Sequence, residues 1–419
     1  MRKFWSAFTL VILCFSIVIP LTLGQSSDSW PMYHRDPTHS GYINSVGPTN
    51  NQTLWTYNTG GWVMDSPAIV NGVVYFSWSD SGYNEGPNNN LIALNAKDGT
   101  KLWNFSVAGK IYTSPAVVNG IVYFGSDDNA IYAVNASTGT EIWKCITGSD
   151  VQGSPTVANG VVYAGSNDGK LYALDAALGM PIWNFTTGGL VTCPAAVADG
   201  VVYFGSYDHK VYALDAATGA KKWEFTTGSV VASAPLVASG NVYIGSYDNQ
   251  TYALNAQTGA LFWKVETGYD QCVQASPAYA NGIIYTGGAF DRKVYALDPS
   301  TGAEKWTFTL NEGLTTAPAV IGHTVYVTST LGNMVYALNA DNGALQWRYQ
   351  TGGNIYSSPA VVDGVAYFGD YNGVFYAVGT SSGGTSGGTS IGDYAIYIAV
   401  VVVLVVVIVA AIVFLRRRH

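Results

Sequence analysis

Charge is what this sequence has least of. Charged side chains make up 11% of its 419 residues, and acids outnumber bases 27 to 19. No basic cluster stands outside the termini, which excludes a nucleic-acid face, because such a face gathers Lys and Arg against phosphates. Cysteine is equally thin. Cys14, Cys145, Cys193 and Cys272 are isolated from one another, so there is neither a vicinal pair, nor a C-x-x-C-H haem motif, nor metal-ligand spacing. Long apolar runs are confined to the two ends.

Those ends read as export and anchoring signals. Met1-Arg2-Lys3 precedes an apolar run from Phe4 to Leu23 and then Gly24-Gln25-Ser26. This is the layout of a secretory signal cleaved after Gly24, with an uncleaved anchor as the alternative. Residues 381–393 are a Gly/Ser/Thr-rich linker. Residues 394–415 are apolar and long enough to cross the ~30 Å hydrocarbon layer as a helix. Arg416–Arg418 then place residues 416–419 in the cytoplasm by the positive-inside rule. The expected protein is therefore held at the cell membrane by one C-terminal span, with residues 25–380 outside.

Between the ends the sequence repeats. Trp55, Trp103, Trp143, Trp183, Trp223, Trp263, Trp306 and Trp347 recur about 40 residues apart after the first interval, the period of a propeller blade. Pro67, Pro115, Pro155, Pro194, Pro235, Pro277, Pro318 and Pro359 open the units. Each unit holds short runs rich in Val, Ile, Tyr and Phe, bounded by Gly, Asn and Asp, which predicts four antiparallel strands. Asn119-Gly120, Asn159-Gly160 and Asp199-Gly200 supply positive-φ pairs for the first hairpin. Eight tryptophans in one phase are structural, facing the next blade.

Seven units carry all four strands, while the last stops at Phe375-Tyr376-Ala377-Val378 without its Trp strand. The orphan Trp55-Thr56-Tyr57 strand is expected to complete it, because closure removes open sheet edges. The predicted fold is all-β: an eight-bladed propeller over residues 51–380, preceded by a lead-in segment at 25–50.

Ala213-Leu214-Asp215-Ala216-Ala217-Thr218-Gly219-Ala220-Lys221-Lys222-Trp223 resembles the signature of pyrroloquinoline-quinone-type (PQQ-type) repeats, with variants in the other units. That family includes quinoprotein dehydrogenases, a BamB-like scaffold of outer-membrane assembly and sensor-like ectodomains, so the resemblance implies fold before function. Its enzymes carry a vicinal disulfide, a bound calcium or lanthanide, a catalytic Asp and large insertions. The isolated cysteines and near-uniform units here lead to an expectation of no cofactor, no metal and no catalysis.

Residues before each opening Pro are expected to line the channel: Asp65, Tyr112, Gln152, Thr192, Ser233, Gln274, Thr316 and Tyr356. They form a polar, nearly uncharged set suited to a sugar, peptide or other neutral ligand. His34-Arg35-Asp36-Pro37-Thr38-His39 is read as lead-in packing on the propeller, with a metal or acid/base site as the alternative. Ser79–Asn90 is an inserted polar loop on one rim, and Asp80 and Glu85 do not have EF-hand spacing. Cys145 replaces an aromatic on the inter-blade face, and a disulfide between Cys193 and Cys272 would have to cross the channel. Sequons stand at Asn51, Asn104, Asn135, Asn184 and Asn249. The expected role is a monomeric interaction or scaffold module for a protein or envelope glycan. The alternatives are a quinone- or sugar-dependent oxidoreductase and a ligand-sensing ectodomain.

Overall fold

The computed structural model describes residues 29–80, 89–268, 275–288, 290–313 and 316–380. The expected signal, linker and membrane span lie outside the described residues, as do Cys272, Gln274, Glu85 and most of the inserted loop. No helix among the described residues is long and apolar enough to cross a membrane.

Eight blades of four antiparallel strands surround one axis, and the seventh gains Tyr42–Ile43 of the lead-in as a parallel strand beside Ala319–Ile321. The fourth blade is typical, with strands Ala196–Ala198, Val201–Gly205, Lys210–Asp215 and Lys221–Thr226 running from the channel outward. The eighth takes three strands from the C-terminal end, Ala360–Val362, Val365–Gly369 and Val374–Gly379. Its outermost strand is Thr53–Asn58, with Trp55 opposite Ala377. The ring is thus closed by the N-terminal strand, and no blade is left incomplete.

The tryptophans join neighbouring blades by one device. Trp103 Nε1 donates to the Ala136 carbonyl of the next blade at 2.9 Å, and Tyr75 of the same blade donates its hydroxyl to that carbonyl at 3.3 Å. Trp183 and Tyr163 do the same to Ala216. Trp347 and Tyr326 do so to Pro48, which carries the pattern across the junction between the chain's ends. The turn beneath every blade indole except Trp347 is a Gly with positive φ. Gly219 has φ +70°, and a Cβ there would sit 2.7 Å from the Trp183 ring. A one-residue bulge before each Trp leaves the preceding side chain outside, which is why Leu102, Ile142, Ile182 and Phe262 are exposed.

The lead-in segment is a strap across the channel. Trp30 pairs with Ile69 in the first blade. The carbonyls of Pro31, Pro37, Thr38, Ser40 and Gly41 accept the backbone N–H groups of Val117, Val197, Val237, Tyr279 and Val320. These donors belong to the innermost strands of the second, fourth, fifth, sixth and seventh blades. Their inner edges would otherwise carry unsatisfied donors into the channel. The third blade is reached through His39, whose Nε2 lies 3.3 Å from Thr156 Oγ1.

Candidate binding site at the channel mouth

Strand order divides the propeller into two faces. The first hairpin of each blade and the Gly turns under the indoles lie on one face, and the strap runs on that side, with Pro37 and Thr38 beside hairpin residues Asn159, Gly200 and Gly240. The blade-to-blade connections and the second hairpins lie on the other face, around the channel's other mouth.

The strap closes its side with a buried aromatic group. Tyr33 stacks on His34 at 5.0 Å and meets His39 edge-on at 5.7 Å. The Tyr33 hydroxyl donates to Ser276 Oγ, and burial pushes it up to about 12. His34 Nδ1 donates to the His39 carbonyl, and His39 Nδ1 donates to the Pro235 carbonyl. Burial holds the two imidazoles at about 3 and about 4 respectively, so both are neutral. Asp36 caps the strap's turn, accepting from Thr38 and Ser40. The segment therefore packs on the propeller, and no three His, Cys, Asp or Glu side chains among the described residues gather to hold a metal.

The residues before each Pro fall into two phases. Tyr112, Gln152, Thr192 and Tyr356 are half-buried and share the channel-facing position with Met64 and Ala232. Asp65, Ser233 and Thr316 stand one residue later and are buried, with their polar atoms used inside the blade. Asp65 Oδ2 accepts Ser77 N–H at 2.8 Å, Ser233 Oγ exchanges bonds with Gly245, and Thr316 Oγ1 meets Thr328 Oγ1 at 2.5 Å. Burial raises the Asp65 carboxyl well above the usual range, and its Oδ1 has no partner. Cys193 shares this buried phase, bonding Gly205 through Sγ, which puts Pro194 one residue early relative to the other blades. Cys193 is pushed up to about 11 by burial, while Cys145 is half-buried, and both are free thiols.

The mouth combines a constant backbone with varied side chains. The second-hairpin N–H groups of Asp127, Asn167, Tyr207, Tyr247 and Tyr371 donate to the carbonyls of Lys110, Asp150, Leu190, Val230 and Asn354 at 2.7 to 3.0 Å. Trp62 holds the corresponding place in the first blade. Elsewhere a given position keeps its Trp, Tyr or Gly from blade to blade, whereas here the connection residue changes, being Trp62, Lys110, Asp150, Leu190, Val230 and Asn354, while the hairpin residue is Tyr at 207, 247 and 371.

One contiguous group of aromatic and charged side chains lies over the eighth, first and second blades. Trp62 stacks on Tyr371 at 4.6 Å, and Tyr371 meets Tyr356 at 5.5 Å. Lys110 lies over the Trp62 ring at 4.9 Å. Burial first, then Asp127 and Tyr371, raise the Tyr112 hydroxyl. Asp127 accepts from the Gln152 amide at 3.2 Å, and burial together with Asp150 pushes its carboxyl up to about 6, against the lowering effect of Gln152 and Lys110. A cleft of about 370 Å³ opens beside Tyr356, walled by Phe290, Leu331, Arg292 and Glu312. Of these groups the pre-Pro register points only to Tyr112, Gln152 and Tyr356. Trp62, Lys110 and Asp127 become visible when the repeats are aligned and their differences are read, whereas Tyr371 repeats the position of Tyr207 and Tyr247.

The sequons divide by exposure. Asn51, Asn104 and Asn184 are exposed, whereas Asn135 is half-buried with its side-chain oxygen capping a turn, and Asn249 is a half-buried hairpin residue at φ +69°.

Closed ring, indole clamps and repeat signature together define an eight-bladed PQQ-type propeller. The chain belongs to the family described as outer membrane protein assembly factor BamB, whose model matches residues 38–110, 87–192, 184–306 and 290–386. No curated protein matches it. Among solved structures it is similar to BamB from Moraxella catarrhalis, with 20% identity, TM-score 0.66, and coverage of 80% of this chain and 100% of that one. It is also similar to the quinohemoprotein alcohol dehydrogenase from Comamonas testosteroni, with 16% identity, TM-score 0.70, and 86% and 82% coverage. A computationally designed protein matches at 16% identity and TM-score 0.70, covering 78% of this chain and 100% of its own. A scaffold, an enzyme and a design share this architecture, so these likenesses establish fold alone.

The dehydrogenase likeness raises a quinone and its metal ion. The described residues do not fit that pair. Cys193 has no vicinal partner, Asp65 is committed to Ser77, and Tyr33 stands across the strap end of the channel.

Proposed function

We propose that this propeller is a binding and scaffold module that presents the mouth opposite the strap to a partner at the cell surface. The observation that carries the reading is the mouth's fixed backbone frame bearing a connection residue that changes from blade to blade, Trp62, Lys110, Asp150, Leu190, Val230 and Asn354. Repetition elsewhere serves packing, and departure from it on one face is what selective recognition requires. Each strap imidazole holds a carbonyl through Nδ1, and the Asp65 carboxyl lies inside its blade with Oδ2 on Ser77 N–H, an arrangement that suits support more than chemistry. In this reading the chain is a single propeller, exported by its N-terminal segment and tethered through residues 381–393 to a span at 394–415, with Arg416–Arg418 inside. Photo-crosslinking in intact cells tests it, with benzoylphenylalanine in place of Tyr371 at the mouth or of Phe262 on an outer strand. The mouth position should yield a discrete adduct and the outer position none. Equal labelling from both positions would defeat the proposal.

A further inference from the structure

Resting on the reading of the mouth as the binding face, we propose that its ligand is a neutral saccharide, taken across the eighth, first and second blades. Pyranose rings present C–H faces that stack on aromatic planes and hydroxyl edges that need bidentate polar partners. The arc supplies both. Trp62 and Tyr371, stacked on each other at 4.6 Å with Lys110 over the indole, brace Tyr356 at 5.5 Å, and Tyr356 is the ring that faces the cleft and can receive a sugar face. Asp127 and Gln152 stand together beyond Tyr112 with planar carboxylate and amide groups. The 370 Å³ cleft beside Tyr356 adds a second apolar wall with Arg292 and Glu312 at its edge, room for a further ring of the same chain.

Two observations favour a saccharide over a peptide. A peptide entering a propeller channel gains affinity by pairing with strand edges. Here the strap already takes the N–H groups of Val117, Val197, Val237, Tyr279 and Val320, and the mouth itself is made of turns bonded to connections. Lys110 and Asp150 both act electrostatically on Asp127, so the arc carries charges of both signs and offers no single-sign field for a charged ligand.

The full-length chain in a sugar-free detergent is titrated calorimetrically with cellotetraose, chitotetraose and mannotetraose, and in parallel with a library of unstructured hexapeptides. At least one tetrasaccharide should bind with a dissociation constant below about 1 mM. Binding should weaken about tenfold in Trp62→Ala and in Tyr371→Ala, and stay unchanged in Phe262→Ala. If Trp62→Ala does not fold, Tyr371→Ala and Asp127→Asn carry the test. Failure of all three sugars to bind, or binding indifferent to the mouth variants, overturns the saccharide. Hexapeptides that bind and are lost in those variants overturn the saccharide while keeping the mouth, which the crosslinking experiment decides separately.

Discussion

Replacing His39 with Asn isolates one buried imidazole of the strap. Asn keeps a donor near the Nδ1 position for the Pro235 carbonyl and loses the contact to Thr156 and the ability to titrate. The folded imidazole sits at about 4 against its ordinary 6.5. Between these values the unfolded chain binds a proton that the folded chain refuses, so His39 costs stability as pH falls and restores it as pH rises. At pH 5 that cost is about 2 kcal/mol, and at pH 7.5 it is near zero. Asp127 at about 6 and the raised Asp65 act in the opposite sense, losing stability as pH rises, but they are common to both proteins and cancel in the difference. At pH 7.5 the variant should be about 1–2 kcal/mol less stable than the wild type, from the lost contact and the small void. That gap should shrink by about 2 kcal/mol at pH 5. Urea unfolding followed by tryptophan fluorescence at the two pH values measures it. A gap that stays constant to within about 0.5 kcal/mol would refute the neutral, buried state of His39.

Ring closure predicts that Trp55→Ala, at a half-buried indole whose Nε1 donates to the Ala96 carbonyl, costs about 2–3 kcal/mol. Deletion of residues 52–60 should lower the melting temperature far more, and unchanged melting would contradict closure. Two glycines with nearly equal φ separate strain from contact. Gly200→Ala, with nothing within 4 Å, should cost about 1 kcal/mol. Gly219→Ala should cost at least about 2 kcal/mol because the Trp183 ring must move, and equal costs would contradict the clamp. Protease added outside intact cells should cut within residues 383–388 and release a compact propeller, while a tag after His419 stays protected. A digested tag would reverse the proposed topology.

Much of the fold was written in residues that recur for a physical reason. Trp, Tyr and turn Gly hold one phase because each indole needs a carbonyl and, but for Trp347, a bare Cα on the next blade, and the orphan Trp55 showed where the circle closes. The strap was legible only as a lead-in, since it has no repeat to announce it and turns through positive φ at His34, Arg35 and His39. The channel set was half legible. Counting back from Pro mixed two phases that alternate between channel and blade, and Cys193-Pro194 shifted the count by one. The mouth was the hardest part to read, because a search for what repeats passes over Trp62 and Lys110, where recognition rests on what does not.

The central claim is that recognition occurs at this mouth and not at the strap face or the outer strands. Hydrogen–deuterium exchange of the full-length chain, alone and saturated with the tightest-binding tetrasaccharide, tests it most directly. Slower exchange is expected at residues 62–64, 110–112, 150–152 and 354–356, and in the hairpins at Asp127 and Tyr371, with residues 30–43 unchanged. Protection confined to the strap or to the outermost Trp strands would contradict the account.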